Sequence, residues 1–213
     1  MKSILAFGDS LTWGFEAGTW LRHPYDMRWP NVLAAGLDGK VRVIEEGLNG
    51  RTTAYDDATD AANLNGASVL PMLLKTHQPL DLVIIMLGTN DLKFAGRCRA
   101  FDATLGMGRL VEIVQTYPFH TSYPRPQTLI LSPPPLVETD DEWFNELWGH
   151  ARDESRKLAP QYERLASDTG VHFFDAGSAA AADPVDGGHL NAANTKRLGE
   201  ALVPVVAKIL ELS

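Results

Sequence analysis

Leu80-Asp81-Leu82-Val83-Ile84-Ile85-Met86-Leu87 is the stretch that most limits what this chain can become. Apart from Asp81 it is apolar throughout, it carries β-branched residues, and it shows no polar alternation. A strand with one wet face alternates, whereas a strand covered on both faces does not. The run therefore calls for a central strand between two helical layers. Ile4–Phe7, Val41–Ile44, Thr128–Leu131 and Val171–Phe174 are further strand-like runs. Segments of helical period separate them: Pro30–Leu37, Ala67–Thr76, Ala103–Gln115, Trp143–Ala166, and a last helix capped by Asn191 with Leu198, Leu202, Val205, Val206 and Ile209 as its stripe. Pro160 should kink or split the fourth of these. Alternating strands and helices predict a parallel sheet with helices on both faces. No repeat, linker or low-complexity tract interrupts the pattern, so one domain is expected over residues 1–213.

Composition narrows the class. Of 213 residues, 45% are hydrophobic and 22% charged, the balance of a soluble globular protein. The net charge is -8 and no Lys/Arg block interrupts it, which argues against a nucleic-acid partner. Only Ile4 to Phe7 follow Met1-Lys2-Ser3 before Gly8-Asp9, too short an apolar run for an export signal, and no run approaches a membrane span. A cytoplasmic location is the expectation. The single cysteine, Cys98, lies between Arg97 and Arg99, but no base is marked out for it as a nucleophile.

In an open parallel sheet, ligands bind outside the carboxyl ends of the strands, so the residues that follow each strand carry the functional reading. The first strand runs into Gly8-Asp9-Ser10. The second is followed by Gly47-Leu48-Asn49-Gly50-Arg51-Thr52, the third by Gly88-Thr89-Asn90-Asp91. Asp186-Gly187-Gly188-His189 precedes the last helix. Each stretch alone is good turn chemistry. Together they bring a Ser, an Asn, glycines and an Asp–His pair to one edge, the parts of a serine hydrolase. A serine hydroxyl needs a base, a histidine titrates in the right range to be one, and an aspartate can hold that histidine's tautomer. The N–H groups of Ser10 and Gly50 and the Asn90 amide can supply three donors to an oxyanion. Of six histidines, only His189 has an acid three residues earlier with glycines between, and a place on that edge. His172 sits in a strand, His150 on a helix, His77 near a helix end, and His23 and His120 in irregular loops.

These residues resemble the four sequence blocks of the SGNH, or GDSL, hydrolases, in the family's order and over nearly the whole chain. FGDSLTWG, EEGLNGRTT, LNGAS, PLDLVIIMLGTND, SPPPL, FFDAG and DGGHL are similar to the bacterial arylesterases and acyltransferases of that superfamily. The resemblance implies a flavodoxin-like, three-layer αβα sandwich on five parallel strands. It implies Ser10 as nucleophile, Asp186 and His189 as its partners, and Ser10, Gly50 and Asn90 as the oxyanion hole. It implies no metal and no organic cofactor, small-molecule esters with water or an alcohol as acceptor, and a homo-oligomer assembled through loops around the site. Residues 15–28 lie outside the matching stretches.

Three weaker readings concern the pocket. Leu11, Trp13 and Lys93, close in sequence to Ser10 and Asn90, are expected to line it, with Trp20 and Trp29 as further wall candidates. Asp56-Asp57 and Asp60 read as a solvated turn rather than a metal site. The expected activity is hydrolysis of short acyl esters such as aryl acetates through an acyl-enzyme, with possible transfer to alcohols. A carbohydrate O-acetylesterase is the nearest rival. A non-catalytic nucleotide- or flavin-binding module is the rival of another class, and the sequence speaks against it, because the first loop carries neither G-x-G-x-x-G nor a P-loop pattern.

Overall fold

Seven residues of the first strand, Lys2–Gly8 (β1), pair in parallel with Val41–Gly47 (β2) on one side and Leu82–Met86 (β3) on the other. Gln127–Ser132 (β4) and His172–Asp175 (β5) complete a parallel sheet in the order β2-β1-β3-β4-β5. That is the flavodoxin-like order. The structure is a computed structural model and describes residues 1–93 and 99–212, so Cys98 lies outside the described residues.

The helices are Ser10–Trp13 (α1), Trp29–Gly36 (α2), Gly66–His77 (α3), Ala100–Thr116 (α4), Glu142–Trp148 (α5), Arg152–Ser155 (α6), Leu158–Thr169 (α7) and Ala192–Ile209 (α8). Side chains alternate along a strand, so β1 serves two cores at once. Leu5 and Phe7 join Val83, Ile85 and Ile130 under α3, α4 and α7. Ile4 and Ala6 join Ile84, Met86 and Leu131 under α2 and α8. Leu198, Leu202 and Val206 of α8 are fully buried, each stabilising the fold by roughly 1.5–3 kcal/mol. The split of helices follows from chain direction. The step from β1 to β2 runs one way across the sheet and the later steps run the other. Right-handed crossovers therefore put α2 on one face and α3, α4 and α7 on the opposite one. The reversal leaves a crevice between β1 and β3, at the end of which Ser10 and Asn90 emerge.

The expected helix over 143–166 is several pieces. It breaks after Trp148 and restarts at Leu158, which puts Pro160 in the first turn of α7, where a missing N–H costs nothing. The break lets α5 swing toward the crevice. Among the described residues no helix is long and apolar enough to cross a membrane.

Candidate active site

The nucleophile candidate is placed by a single tight turn. Gly8 ends β1, and a Cβ there would fall 2.0 Å from Thr12 Oγ1 and 2.8 Å from the Met86 carbonyl. Only glycine lets α1 fold back so closely on the sheet. Asp9 caps α1 by accepting the Leu11 N–H at 3.0 Å. Ser10 is then the first residue of the helix, with an N–H that has no intrahelical partner, and Ser10 is 7% exposed.

His189 and Asp186 come from the turn before α8, whose Asn191 cap accepts the Asn194 N–H at 2.9 Å. Nδ1 of His189 lies 3.0 Å from Asp186 Oδ2, and Nε2 lies 3.0 Å from Ser10 Oγ. Asp186 also accepts the N–H groups of Gly188 and His189 on Oδ1 and that of Gly18 on Oδ2. Burial pushes its carboxyl up, but the hydrogen bonds and charge of His189, with the Gly188 amide, outweigh it and hold the group below the ordinary carboxylate range. An ionised Asp186 can only accept. The Nδ1 proton therefore points at it, and Nε2 is left to take the Ser10 hydroxyl proton.

Beneath Ser10 lies a buried polar cluster. Asn90 donates through Nδ2 to Asp9 Oδ2 at 3.1 Å and to the Arg51 carbonyl at 3.2 Å. Both protons of its amide are thus engaged, and donation to an oxyanion requires one of these partners to yield. Arg51 donates to the carbonyls of Gly8, at 2.8 Å, and Glu46, and lies 4.3 Å over the Phe7 ring. Asp91 accepts the N–H and hydroxyl of Thr53. Burial pushes Asp9 up to about 6 and Asp91 up to about 7, and lowers Arg51 to about 10. Gly50 sits at φ +82°, a conformation that favours glycine, at the rim of the same crevice.

Above these residues opens a cleft of about 270 Å³ that Asn49, Gly50 and Lys93 line together with Trp20, Trp143 and Leu147, while Phe15, Phe144 and Trp148 pack around His189. Lys93 lines it, as expected, paired with Asp57 at 3.3 Å. Leu11 and Trp13 do not. Leu11 points into the core under α2 and α8, because the N-terminal residue of α1 takes the outward position. Trp13, at the end of that turn, packs against the opposite core beneath Arg22, whose guanidinium lies 4.8 Å from its ring. Trp29 is fully buried. The aromatic wall comes instead from residues 15–20 and from α5, where Asp141 caps the helix and Phe144 and Trp148 share one face at a spacing of four. That spacing is legible in sequence, but it reads equally as an ordinary core stripe. The other histidines sit elsewhere: His77 pairs with Glu46, His23 and His150 contact the carbonyls of Leu190 and Leu92, His120 accepts from Ser122 N–H, and His172 is exposed on the edge strand. The three acids read as a turn each have their own partner: Asp56 accepts from Asn65, Asp57 from Thr59 and Lys93, and Asp60 from Ala62.

The model of the GDSL-like lipase/acylhydrolase family matches residues 6–196. A carbohydrate acetylesterase family member from Sinorhizobium meliloti superposes with a TM-score of 0.97 at 47% identity, over 100% of both chains. Est24, a carbohydrate acetylesterase from the same organism, gives 0.93 at 44% identity, over 98% of this chain and 100% of that one. The native M. smegmatis aryl esterase gives 0.92 at 46%, again over 98% and 100%. No curated protein matches the chain. With the family model covering most of its length and the same blocks meeting at one crevice, the chain belongs to the GDSL-like lipase/acylhydrolase family and is a carboxylic ester hydrolase.

Proposed function

We propose that the chain, acting as one domain, hydrolyses short-chain acyl esters, aryl acetates among them, through an acyl-enzyme on Ser10. One observation carries the reading: the hydrogen-bonded line Asp186–His189–Ser10, with 3.0 Å at each link. His189 Nε2 takes the hydroxyl proton as Ser10 Oγ attacks the ester carbon. The resulting oxyanion is met by the N–H groups of Ser10 and Gly50, and by Asn90 once Asp9 or the Arg51 carbonyl releases one of its amide protons. Nε2 then protonates the leaving oxygen, and the acyl group stays on Ser10. Water, deprotonated by His189, releases it as the acid. Asp186 remains ionised throughout and stabilises the imidazolium.

The cleft supports a small substrate. Its volume falls just under the roughly 300–1,000 Å³ of sites for drug-sized ligands, and its largely apolar wall suits an aryl group. A second reading has its own support: an acetylated sugar as substrate, favoured by the two Sinorhizobium meliloti neighbours and by Trp20 and Trp143 at the mouth, each 64% exposed, which offer a flat platform. Exposed apolar side chains in the same segment as Trp20, Leu21 and Tyr25 among them, support assembly into a homo-oligomer. The acidic net charge supports an enzyme without a nucleic-acid partner. The test is a fluorophosphonate probe with peptide mass spectrometry, followed by a panel of aryl and sugar esters from acetyl to decanoyl. Labelling at Ser10 and turnover falling beyond short acyl chains are expected. Labelling at another serine overturns the assignment.

A further inference from the structure

We propose that Phe15 is a positioning residue for His189, its ring face fixing the plane of the imidazole that joins Ser10 to Asp186. The inference rests on the triad reading above and extends it to the segment that matched no sequence block.

That segment is a strap running from the nucleophile turn to the base turn. Gly14 and Phe15 both donate their N–H to the Ser10 carbonyl at 2.9 Å, so the strap begins on the nucleophile's own turn. It folds into a small hairpin through a bridge between Phe15 and Arg22, then lies alongside Leu190 through a bridge from Glu16. Gly18 donates its N–H to Asp186 Oδ2 at 3.3 Å, and His23 Nε2 lies 2.9 Å from the Leu190 carbonyl. The strap thus holds Asp186 and the residue after His189 from the far side. Phe15 itself is almost fully buried and lies face to face with the imidazole, ring centroids 4.1 Å apart and planes 28° apart. Phe144 and Trp148 close the other sides nearly edge-on, at 5.5 and 5.8 Å.

The two hydrogen bonds of His189 hold its two nitrogens only in direction and distance, and the ring can still rock about its Cβ–Cγ bond. That rocking swings the Nε2 lone pair off the Ser10 hydroxyl. A ring stacked face-on opposes the rocking directly, and edge-on rings oppose it far less. Phe15 also keeps water from the Nδ1–H bond to Asp186, which a dry setting strengthens. A misplaced base costs rate while leaving substrate affinity in place.

The test compares Phe15→Leu, which keeps apolar volume but removes the flat face, with Phe15→Tyr, which keeps the face. On a phenyl acetate substrate, Phe15→Leu should lower kcat by roughly 10–100-fold with KM within about threefold. Fluorophosphonate labelling should slow by the same factor. In the free enzyme, the far-downfield proton resonance of His189 Nδ1–H should broaden into solvent exchange, a signature that loss of a substrate wall does not produce. Phe15→Tyr should restore all three. If Phe15→Leu lacks the wild-type unfolding transition, Phe144→Leu takes its place, with a smaller effect of the same kind expected because that ring is edge-on. Wild-type kcat, labelling and resonance in the leucine variant, or a rise in KM alone, overturns the proposal. Failure of the wild-type protein to label at Ser10 overturns the triad reading instead.

Discussion

Ser10 and His189 meet at 3.0 Å, yet the two sides of that contact are held by opposite means. Behind Ser10 stand buried polar groups: Asp9, Asn90 and Arg51, linked by hydrogen bonds that each point in one direction, and Asp91, which accepts from Thr53. Around His189 stand rings: Phe15, Phe144 and Trp148. Hydrogen bonds fix the positions of individual atoms and carry a desolvation cost that shows in the raised Asp9 and Asp91. Rings fix a plane and exclude water, and Phe15 and Phe144 bury no polar side-chain atom, whereas Trp148 buries its indole N–H without a hydrogen-bond partner. The nucleophile and oxyanion groups need point accuracy against a carbonyl. The base must pass a proton between two oxygens, so it needs a defined plane and a dry setting more than an anchored atom.

The largest effect that can break this comparison is removal of the contact itself. Ser10→Ala and His189→Ala should each lower kcat by at least about 10³-fold on an acetyl ester, and the double variant should lose little more, because the two act as a unit. Losses that multiply in the double variant would mean that the two sides work independently. Within the polar side, Asn90→Ala should lower kcat by roughly 10²–10³-fold with KM nearly unchanged. A pure KM defect would leave Asn90 only as a strut for Asp9.

The same division explains what could be read from sequence. The polar groups behind Ser10 all sit within a few residues of a strand end. Gly8-Asp9-Ser10 and Gly88-Thr89-Asn90-Asp91 therefore announce themselves as local motifs. The rings do not. Phe15 follows Ser10 closely but meets His189 only because the turn before α8, far along the chain, comes back to the end of β1. Phe144 and Trp148 reach it only because the expected long helix breaks near Gly149 and α5 turns toward the crevice. Trp13 misled for the related reason that nearness in sequence to Ser10 fixes no direction: at the end of a one-turn helix it faces the core.

The polar side should also tie stability to pH in a way the rings do not. Asp9 and Asp91 have folded values of about 6 and about 7, above the unfolded value of about 3.9. Between about pH 4 and these values the folded state binds more protons than the unfolded one. Stability from these groups is therefore fully present below about pH 4 and falls as pH rises toward 7. Replacing one of them by its amide removes the titrating group. Asp91→Asn should flatten that decline, by an amount on the order of a few kcal/mol between pH 4 and 7. Chemical denaturation at several pH values measures it. A wild-type profile that rises from pH 4 to 7 and is unchanged in Asp91→Asn would show that the cluster stays ionised at no cost.

The smallest expected effect concerns the outer aromatic side and what it admits. An acyl group on Ser10 does not dictate its acceptor, since His189 can deprotonate water or an alcohol equally well. What decides is which of them reaches the carbonyl carbon. Trp143 is 64% exposed and lines the cleft, and among the described residues it makes no ring contact with His189, so its removal tests the acceptor path and leaves the base enclosure in place. An alcohol that buries a few tens of Å² of its chain against the tryptophan gains roughly 1 kcal/mol at about 25 cal/mol per Å². That corresponds to about a fivefold bias in partitioning. With an acetyl ester and increasing butanol in buffer, transfer product should exceed what the alcohol-to-water ratio alone predicts by about that factor, and Trp143→Ala should remove most of the excess while hydrolysis stays within about twofold. A ratio that merely tracks concentration in both proteins would make the exposed rings irrelevant to the acceptor. Their remaining uses would then be the one proposed for acetylated sugars or contact with another copy of the chain, and the sugar-ester panel and a measurement of mass in solution tell these apart.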